Sequence, residues 1–175
     1  MSADERWAAL GAALSFLGPR LEHDRPLGPL STYRVGGPAR RFLEVADADE
    51  LVRLARALVE ASWTAPEDVL VVGRGSNLLV ADRGAEALVL QLGEQFSMIE
   101  VHGEVVRAGG ATSLPVLARR TVAAGLRGFE WAVGVPGSVG GAVRMNAGGH
   151  GDDMAASLLG VRVVDLCTGE DVEVD

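Results

Sequence analysis

A chain of 175 residues with a formal net charge of −8, 48% hydrophobic but only 5% aromatic, can bury a full core without disulfides or metal. The acidic balance argues against nucleic acid as the main partner, because phosphate-backbone binding needs clustered basic charge. All 16 basic residues are Arg, so there is neither a lysine for a Schiff base nor a lysine-bearing phosphate loop. The single cysteine, Cys167, excludes an internal disulfide, and His23, His102 and His150 fall at no metal-ligand spacing. No metal site is expected. No apolar run is long enough to cross a bilayer. Residues 1–6 lack the basic and apolar regions of a signal peptide, so the expected location is the cytoplasm.

In chain order, Trp7, Leu10, Leu14 and Leu17 fall at helical spacing and predict a helix from Asp4 to Leu17, ended by Gly18 and Pro19. Arg25 to Leu30 reads as a linker, Thr32 to Val35 as extended chain, and Arg41 to Val45 as a strand. Asp47 with Glu50 three residues on marks a helix start, with Leu51, Leu54, Ala55 and Leu58 on its inner face. Val69 to Val72, Leu78 to Val80 and Ala87 to Leu92 read as strands. Ser97 to Ala108 reads as a hairpin turning at His102 and Gly103. Ser113 and Pro115 open a helix that runs to Ala124 and stops at Gly125. From Gly134 to Gly151 neither period is visible. Val161 to Leu166, a turn at Thr168 and Gly169, and Val172 to Asp175 suggest a last strand pair that stops in mid-strand, which reads as a fragment.

Two glycine segments carry the chemistry. Gly73-Arg74-Gly75-Ser76-Asn77 follows an apolar strand directly, and backbone amides in such a turn can converge on a phosphate. It is not a Rossmann fingerprint: Leu78 stands where the third glycine is needed, and no helix pattern follows. A tight turn between strands is the plain alternative. The second segment, Gly134-Val135-Pro136-Gly137-Ser138-Val139-Gly140-Gly141-Ala142, continues into Arg144, Met145, Asn146, Ala147, Gly148 and Gly149. So much glycine is costly to order, and Val and Pro are not flexible-linker residues. A backbone lining a flat ligand explains it better than close strand crossings. Ser138 is not a hydrolase nucleophile, because Pro136 replaces the glycine of the elbow pattern.

With Thr32-Tyr33-Arg34-Val35-Gly36-Gly37-Pro38-Ala39, Gly73 to Val80, and Gly125-Leu126-Arg127-Gly128-Phe129-Glu130 followed by Gly134 to Gly149, the chain resembles UDP-N-acetylenolpyruvoylglucosamine reductases in motif order and spacing, from about Leu30 to the end. The resemblance implies an α+β, two-lobed FAD-binding domain of the vanillyl-alcohol oxidase type, not a Rossmann fold. Residues 1–30 would be an N-terminal helix and linker, and residues 31–175 the FAD-binding domain, with lobes of about 31–93 and 94–175. It also implies FAD as cofactor, NADPH as hydride donor and a UDP-amino-sugar enolpyruvyl ether as substrate, in peptidoglycan precursor synthesis.

Carried over by motif, Gly73, Arg74, Gly75, Ser76, Asn77 and Leu78 would hold the FAD pyrophosphate, with Arg74 adding charge. Gly109 and Gly110 would approach the cofactor. Gly134, Val135, Pro136, Gly137, Ser138, Gly140, Gly141 and Ala142 would run along the flavin and its ribityl chain, with Asn146, Ala147 and Gly148 near the ring edge. Ser138 and Asn77 would be the side-chain donors. His150 stands where the family often has a tyrosine. The family's catalytic arginine, serine and glutamate lie in later segments, so no catalytic residue is expected in this chain. Arg144 is the one candidate stand-in, and a solvated or phosphate-facing arginine is its plainer reading. The chain alone is expected to bind FAD weakly or not at all and to turn over no substrate. Two other readings stay open: a different flavin oxidase or dehydrogenase of the same fold, and a non-catalytic flavin module.

Overall fold

The computed structural model describes residues 2–175. Helix α1 (Ala3–Ala13) opens with a reciprocal cap in which the Ser2 hydroxyl accepts from the Glu5 amide at 3.3 Å and the Glu5 carboxylate accepts from the Ser2 amide at 2.7 Å. It stops four residues before the predicted end. Residues Ser15–Arg20 tighten into a 3-10 segment, broken where Gly18 takes φ 56° ahead of Pro19. The predicted inner face survives the break, since Trp7, Leu10, Leu14 and Leu17 all enter the main core.

The expected linker at Arg25 overlaps a strand, β1 (Glu22–Pro26), which pairs antiparallel with β2 (Pro38–Val45) from Glu22 opposite Phe42 to Pro26 opposite Pro38. Its sequence, Glu-His-Asp-Arg-Pro, has no apolar alternation, because an edge strand lying mostly in water needs none. Thr32 to Val35 is not extended. The Arg34 amide folds back to the Ser31 carbonyl at 3.2 Å and hydroxyl at 3.1 Å, and Arg34 takes φ 55°. Helix α2 (Ala48–Glu60) begins as predicted, with the Asp47 carboxylate accepting from the Glu50 amide at 2.8 Å. Strands β3 (Val69–Val71) and β4 (Ala85–Leu92) follow. The strand expected at Leu78 to Val80 is irregular chain, and those apolar residues are used for packing instead: Leu78 and Val80 lie against Leu27 and Phe42.

The four strands form one sheet in the order β1-β2-β4-β3, with β2, β4 and β3 parallel. The middle strand β4 is covered on both faces. Leu88 and Leu90 enter a core with Trp7, Leu43, Leu54, Leu58 and Trp63, while Val89 points into a second cluster with Leu27, Phe42 and Val72. Beyond the sheet come the hairpin β5 (Ile99–His102) and β6 (Val105–Ala108), helix α3 (Leu114–Ala123), and helix α4 (Val139–Met145). Then follow the short pair β7 (Gly148–Gly149) and β8 (Asp152–Asp153), helix α5 (Met154–Ser157), and the hairpin β9 (Val161–Val164) and β10 (Asp171–Val174). A separate apolar cluster built on Leu114, Leu117, Trp131, Val139 and Met154 holds this half together. No described helix is long and apolar enough to cross a membrane.

One ion pair ties the N-terminal segment to α2. Arg20 Nη1 donates to Glu50 Oε1 at 3.1 Å, and the Ala46 amide donates to the same oxygen at 2.9 Å. The Arg20 hydrogen bond, aided by that amide, holds the Glu50 carboxyl below its ordinary 4.5. A depressed folded-state value stabilises the fold above about pH 4.5, and the gain is lost as pH falls through the folded value. With Arg20 half exposed, Glu50→Gln is expected to cost only about 1 kcal/mol at pH 7. In urea titrations the gap to wild type should shrink below about pH 4.5; a gap that is constant from pH 7 to pH 3 would exclude this account.

Candidate functional site

The C-terminal ends of the three parallel strands open onto a cleft of about 440 Å³. This is where parallel α/β sheets commonly bind ligands, since the loops leaving those ends are free to shape a pocket. The cleft is lined by Glu44 from β2, by Val71 to Arg74 leaving β3, by Gln91 to Glu94 leaving β4, and by Ser97, Gly110 and Ala111. Ser138, Gly140, Gly141 and Arg144 close it from α4 and its start. A second hollow of about 480 Å³ lies among Trp7, Leu14, His23, Arg40 and Arg41; it contains no residue of either glycine segment.

The first glycine loop is held open from three sides. Gln91 Nε2 donates to the Gly73 carbonyl at 2.9 Å, the Thr32 amide donates to the Gly75 carbonyl at 3.3 Å, and Ser76 Oγ donates to the Pro136 carbonyl at 3.2 Å. Gly75 takes φ 65°, and a Cβ there would lie 1.8 Å from the Leu30 carbonyl oxygen. The Gly73 and Gly75 carbonyls are thus engaged, while the amides of Gly73, Arg74, Gly75, Ser76 and Asn77 donate to no other group among the described residues. A run of unpaired backbone N–H groups in a glycine turn is an anion cradle.

The second segment is not the aperiodic stretch expected from its composition. Ser138 caps α4, and the first turn carries a glycine at 140 because the backbone there lies against another. The Gly140 amide donates to the Gly110 carbonyl at 2.9 Å, and a Cβ on Gly140 would lie 3.1 Å from that oxygen. Val139 and Ala142 supply the apolar anchorage by packing with Leu114 and Trp131. The two segments meet in the cleft: a Cβ on Gly73 would lie 2.5 Å from Ser138 Oγ. Ser138 is 3% exposed, and its oxygen accepts from the Gly141 amide at 3.4 Å. Among the described residues its hydroxyl proton has no acceptor. Upstream, the Glu130 carboxylate is held below its usual range by backbone amides, its own first and then that of Gly128 at 2.7 Å, and so fixes the 3-10 turn Glu130–Gly134 that leads into this segment.

Of the residues singled out from sequence, Gly73, Arg74, Gly110, Ser138, Gly140, Gly141 and Arg144 line the cleft together. Gly75, Ser76, Pro136 and Gly137 stand directly behind them and set the loop's shape. Others have work elsewhere. Gly109 lies against Phe96, whose carbonyl oxygen would be 2.1 Å from a Cβ. Asn146 closes α4 at φ 43°, its side chain donating to Asp153 at 3.0 Å and accepting from the Ala155 amide at 2.8 Å. Ala147 and Gly148 bond into the turn that follows, and Val135 packs against Gly149. Asn77, Leu78, Gly134 and Ala142 do not line the cleft. Sequence reading missed Glu44, Gln91, Gly93, Glu94, Ser97 and Ala111. Most of them sit at the C-terminal ends of strands it had identified, and that position was the available signal. No group of three or more potential metal ligands occurs among the described residues.

The residues present fit a diphosphate-bearing ligand: the unpaired Gly73 and Arg74 amides at the cleft, a buried hydroxyl with a free proton, and a glycine at 73 where a side chain would meet that hydroxyl. A profile of the family described as "FAD binding domain" matches residues 39–175. The UDP-N-acetylenolpyruvoylglucosamine reductase 2 of Symbiobacterium thermophilum is 42% identical over 158 residues, covering 86% of this chain and 50% of its own length. The corresponding reductase of Parvibaculum lavamentivorans is 40% identical over 165 residues, covering 94% of this chain and 52% of its own length. The crystal structure of the UDP-N-acetylenolpyruvylglucosamine reductase of Thermus caldophilus superposes with a TM-score of 0.73 at 35% identity, covering 89% of this chain and 52% of that one. The chain spans about half the length of these relatives. With its mixed helices and strands and this cleft, it belongs to the FAD binding domain family and has the vanillyl-alcohol oxidase type of FAD-binding fold.

Proposed function

We propose that this chain is the FAD-holding part of a UDP-N-acetylenolpyruvoylglucosamine reductase. That enzyme reduces the enolpyruvyl ether of UDP-N-acetylglucosamine to UDP-N-acetylmuramate with NADPH, in the cytoplasm, as a step toward peptidoglycan. The observation that carries the reading is the convergence of the free Gly73 and Arg74 amides with the buried Ser138 hydroxyl on one cleft, in a chain of this family. FAD, when bound, supplies the hydride chemistry.

The chain's own residues bind and orient. The amides of Gly73 and Arg74 and the Ser138 hydroxyl hold the diphosphate, and Gln91 fixes the cradle through the Gly73 carbonyl. Gly110, Gly140 and Gly141 line the same cleft and present backbone rather than side chains to a flat ring. Residues 31–93 and 94–175 would form the two lobes that flank the cofactor. No residue of this chain is assigned a catalytic role, and Arg144 is read as an anion-facing group.

The test is a titration of the purified chain with FAD, followed by flavin fluorescence and the visible absorption spectrum. Because the cradle and Ser138 meet in a cleft formed within this chain, the expectation of weak binding or none narrows to weak, saturable binding, together with no substrate-dependent NADPH oxidation. No binding up to about millimolar FAD, where an affinity of only about 4 kcal/mol would already register, would overturn the cofactor assignment. Turnover by the chain alone would overturn the division of labour.

A further inference from the structure

The cleft is lined by two guanidiniums. Arg74 projects from the amide cradle and Arg144 from the last turn of α4. Both line the cleft, both are exposed, and neither enters an ion pair among the described residues. This matters in a chain of net charge −8, whose overall field repels an incoming anion. Two carboxylates, Glu44 and Glu94, line the same cleft, and Glu44 Oε1 lies within 3.3 Å of where a Gly93 Cβ would stand. The lining therefore carries two charges of each sign. A neutral ligand gains little from it, whereas a diphosphate seated on the cradle brings its charge beside Arg74.

We propose that Arg74 and Arg144 form a cationic pair that selects a flavin dinucleotide over phosphate-free flavins, the amides giving the diphosphate its seat and the two guanidiniums its charge preference. This rests on the FAD reading above and adds specificity residues to it. Guanidinium–phosphate hydrogen bonds are charge-assisted and about twice as strong as neutral ones. Because both side chains are exposed, the contribution is screened by salt. The amides give a weaker, less salt-sensitive share of the binding.

The experiment compares FAD and riboflavin binding, by flavin fluorescence, to wild type, Arg74→Ala, Arg144→Ala and the double variant, at low and high NaCl. Inorganic pyrophosphate serves as a competitor of FAD. Far-UV circular dichroism and urea midpoints check that each variant is folded. The double variant is expected to lose FAD affinity by on the order of 10- to 100-fold at low salt, with riboflavin affinity unchanged. Its FAD binding should no longer weaken with salt, and pyrophosphate should compete poorly. Arg74→Lys with Arg144→Lys should restore the salt dependence, because charge is retained, but only part of the affinity, because the fork geometry is lost. FAD binding by the double variant equal to wild type would overturn the proposal and leave the FAD assignment standing. So would an equal loss for FAD and riboflavin, which would mean that the arginines merely shape the cleft. Failure of wild type to bind either flavin would remove both.

Discussion

Gly75→Ala is expected to abolish measurable FAD binding and to destabilise the fold by on the order of 2–4 kcal/mol. Two costs combine. A residue with a Cβ pays roughly 1–2 kcal/mol to occupy the left-handed region, where Gly75 sits at φ 65°. The added carbon would also overlap the Leu30 carbonyl, 1.8 Å away. Leu30 cannot retreat cheaply. The neighbouring Ser31 is buried, its hydroxyl donating to the Gly28 carbonyl at 3.0 Å and accepting from the Arg34 amide at 3.1 Å. The loop itself must move, and its amides with it. Urea denaturation and FAD titration of the purified variant measure the two effects separately. Wild-type values for both would show that the cradle does not depend on this backbone conformation.

Leu88→Ala is expected to cost about 2–5 kcal/mol, the range for deleting a fully buried leucine side chain. Leu88 is fully buried in the strand at the middle of the sheet, opposite Arg41 of β2 and Val69 of β3. It belongs to the cluster that joins α1 and α2 to the sheet, so a cavity there is walled on every side and cannot collapse easily. Leu79→Ala is the control. With Leu79 73% exposed, its change should stay within about 0.5 kcal/mol. Equal urea midpoints for the two variants would contradict the layered core described above.

The sheet and its covering helices were legible from sequence because their apolar residues are periodic: Leu54, Ala55 and Leu58 are buried as the helical spacing requires. Failures fell where tertiary contacts replace periodicity. Strand β1 is nearly all polar because one neighbour, β2, supplies its hydrogen bonds. Helix α4 has two glycines and seven residues, so propensity argues against it; the Ser138 cap and the anchoring of Val139 and Ala142 decide otherwise. Leu78 to Val80 looks like a strand because its leucine and valine are used for packing without a ladder. In the site, the two glycine segments could be picked out because glycine is costly unless a backbone needs it. Their meeting at Gly73 and Ser138 could not, since residues so far apart in the chain are joined only by the fold. Glu44 and Glu94 carried no mark beyond their place at the C-terminal ends of β2 and β4.

The strand order has a kinetic consequence. Arg41 pairs with Leu88, so all of α2 and β3 must be spanned before the central parallel pair can zip. That loop-closure entropy is spent before any ladder contact repays it. The hairpins β5–β6 and β9–β10 close over a few residues each and face no comparable delay. Refolding should therefore order the flanking hairpins ahead of the sheet. Pulse-labelled amide exchange would show protection at Glu100 and Arg107, a hydrogen-bonded pair of the hairpin, rising earlier than at Leu43 and Val89. The cleft, which needs the ends of β2, β3 and β4 in place, would be the last part of the molecule to acquire its shape.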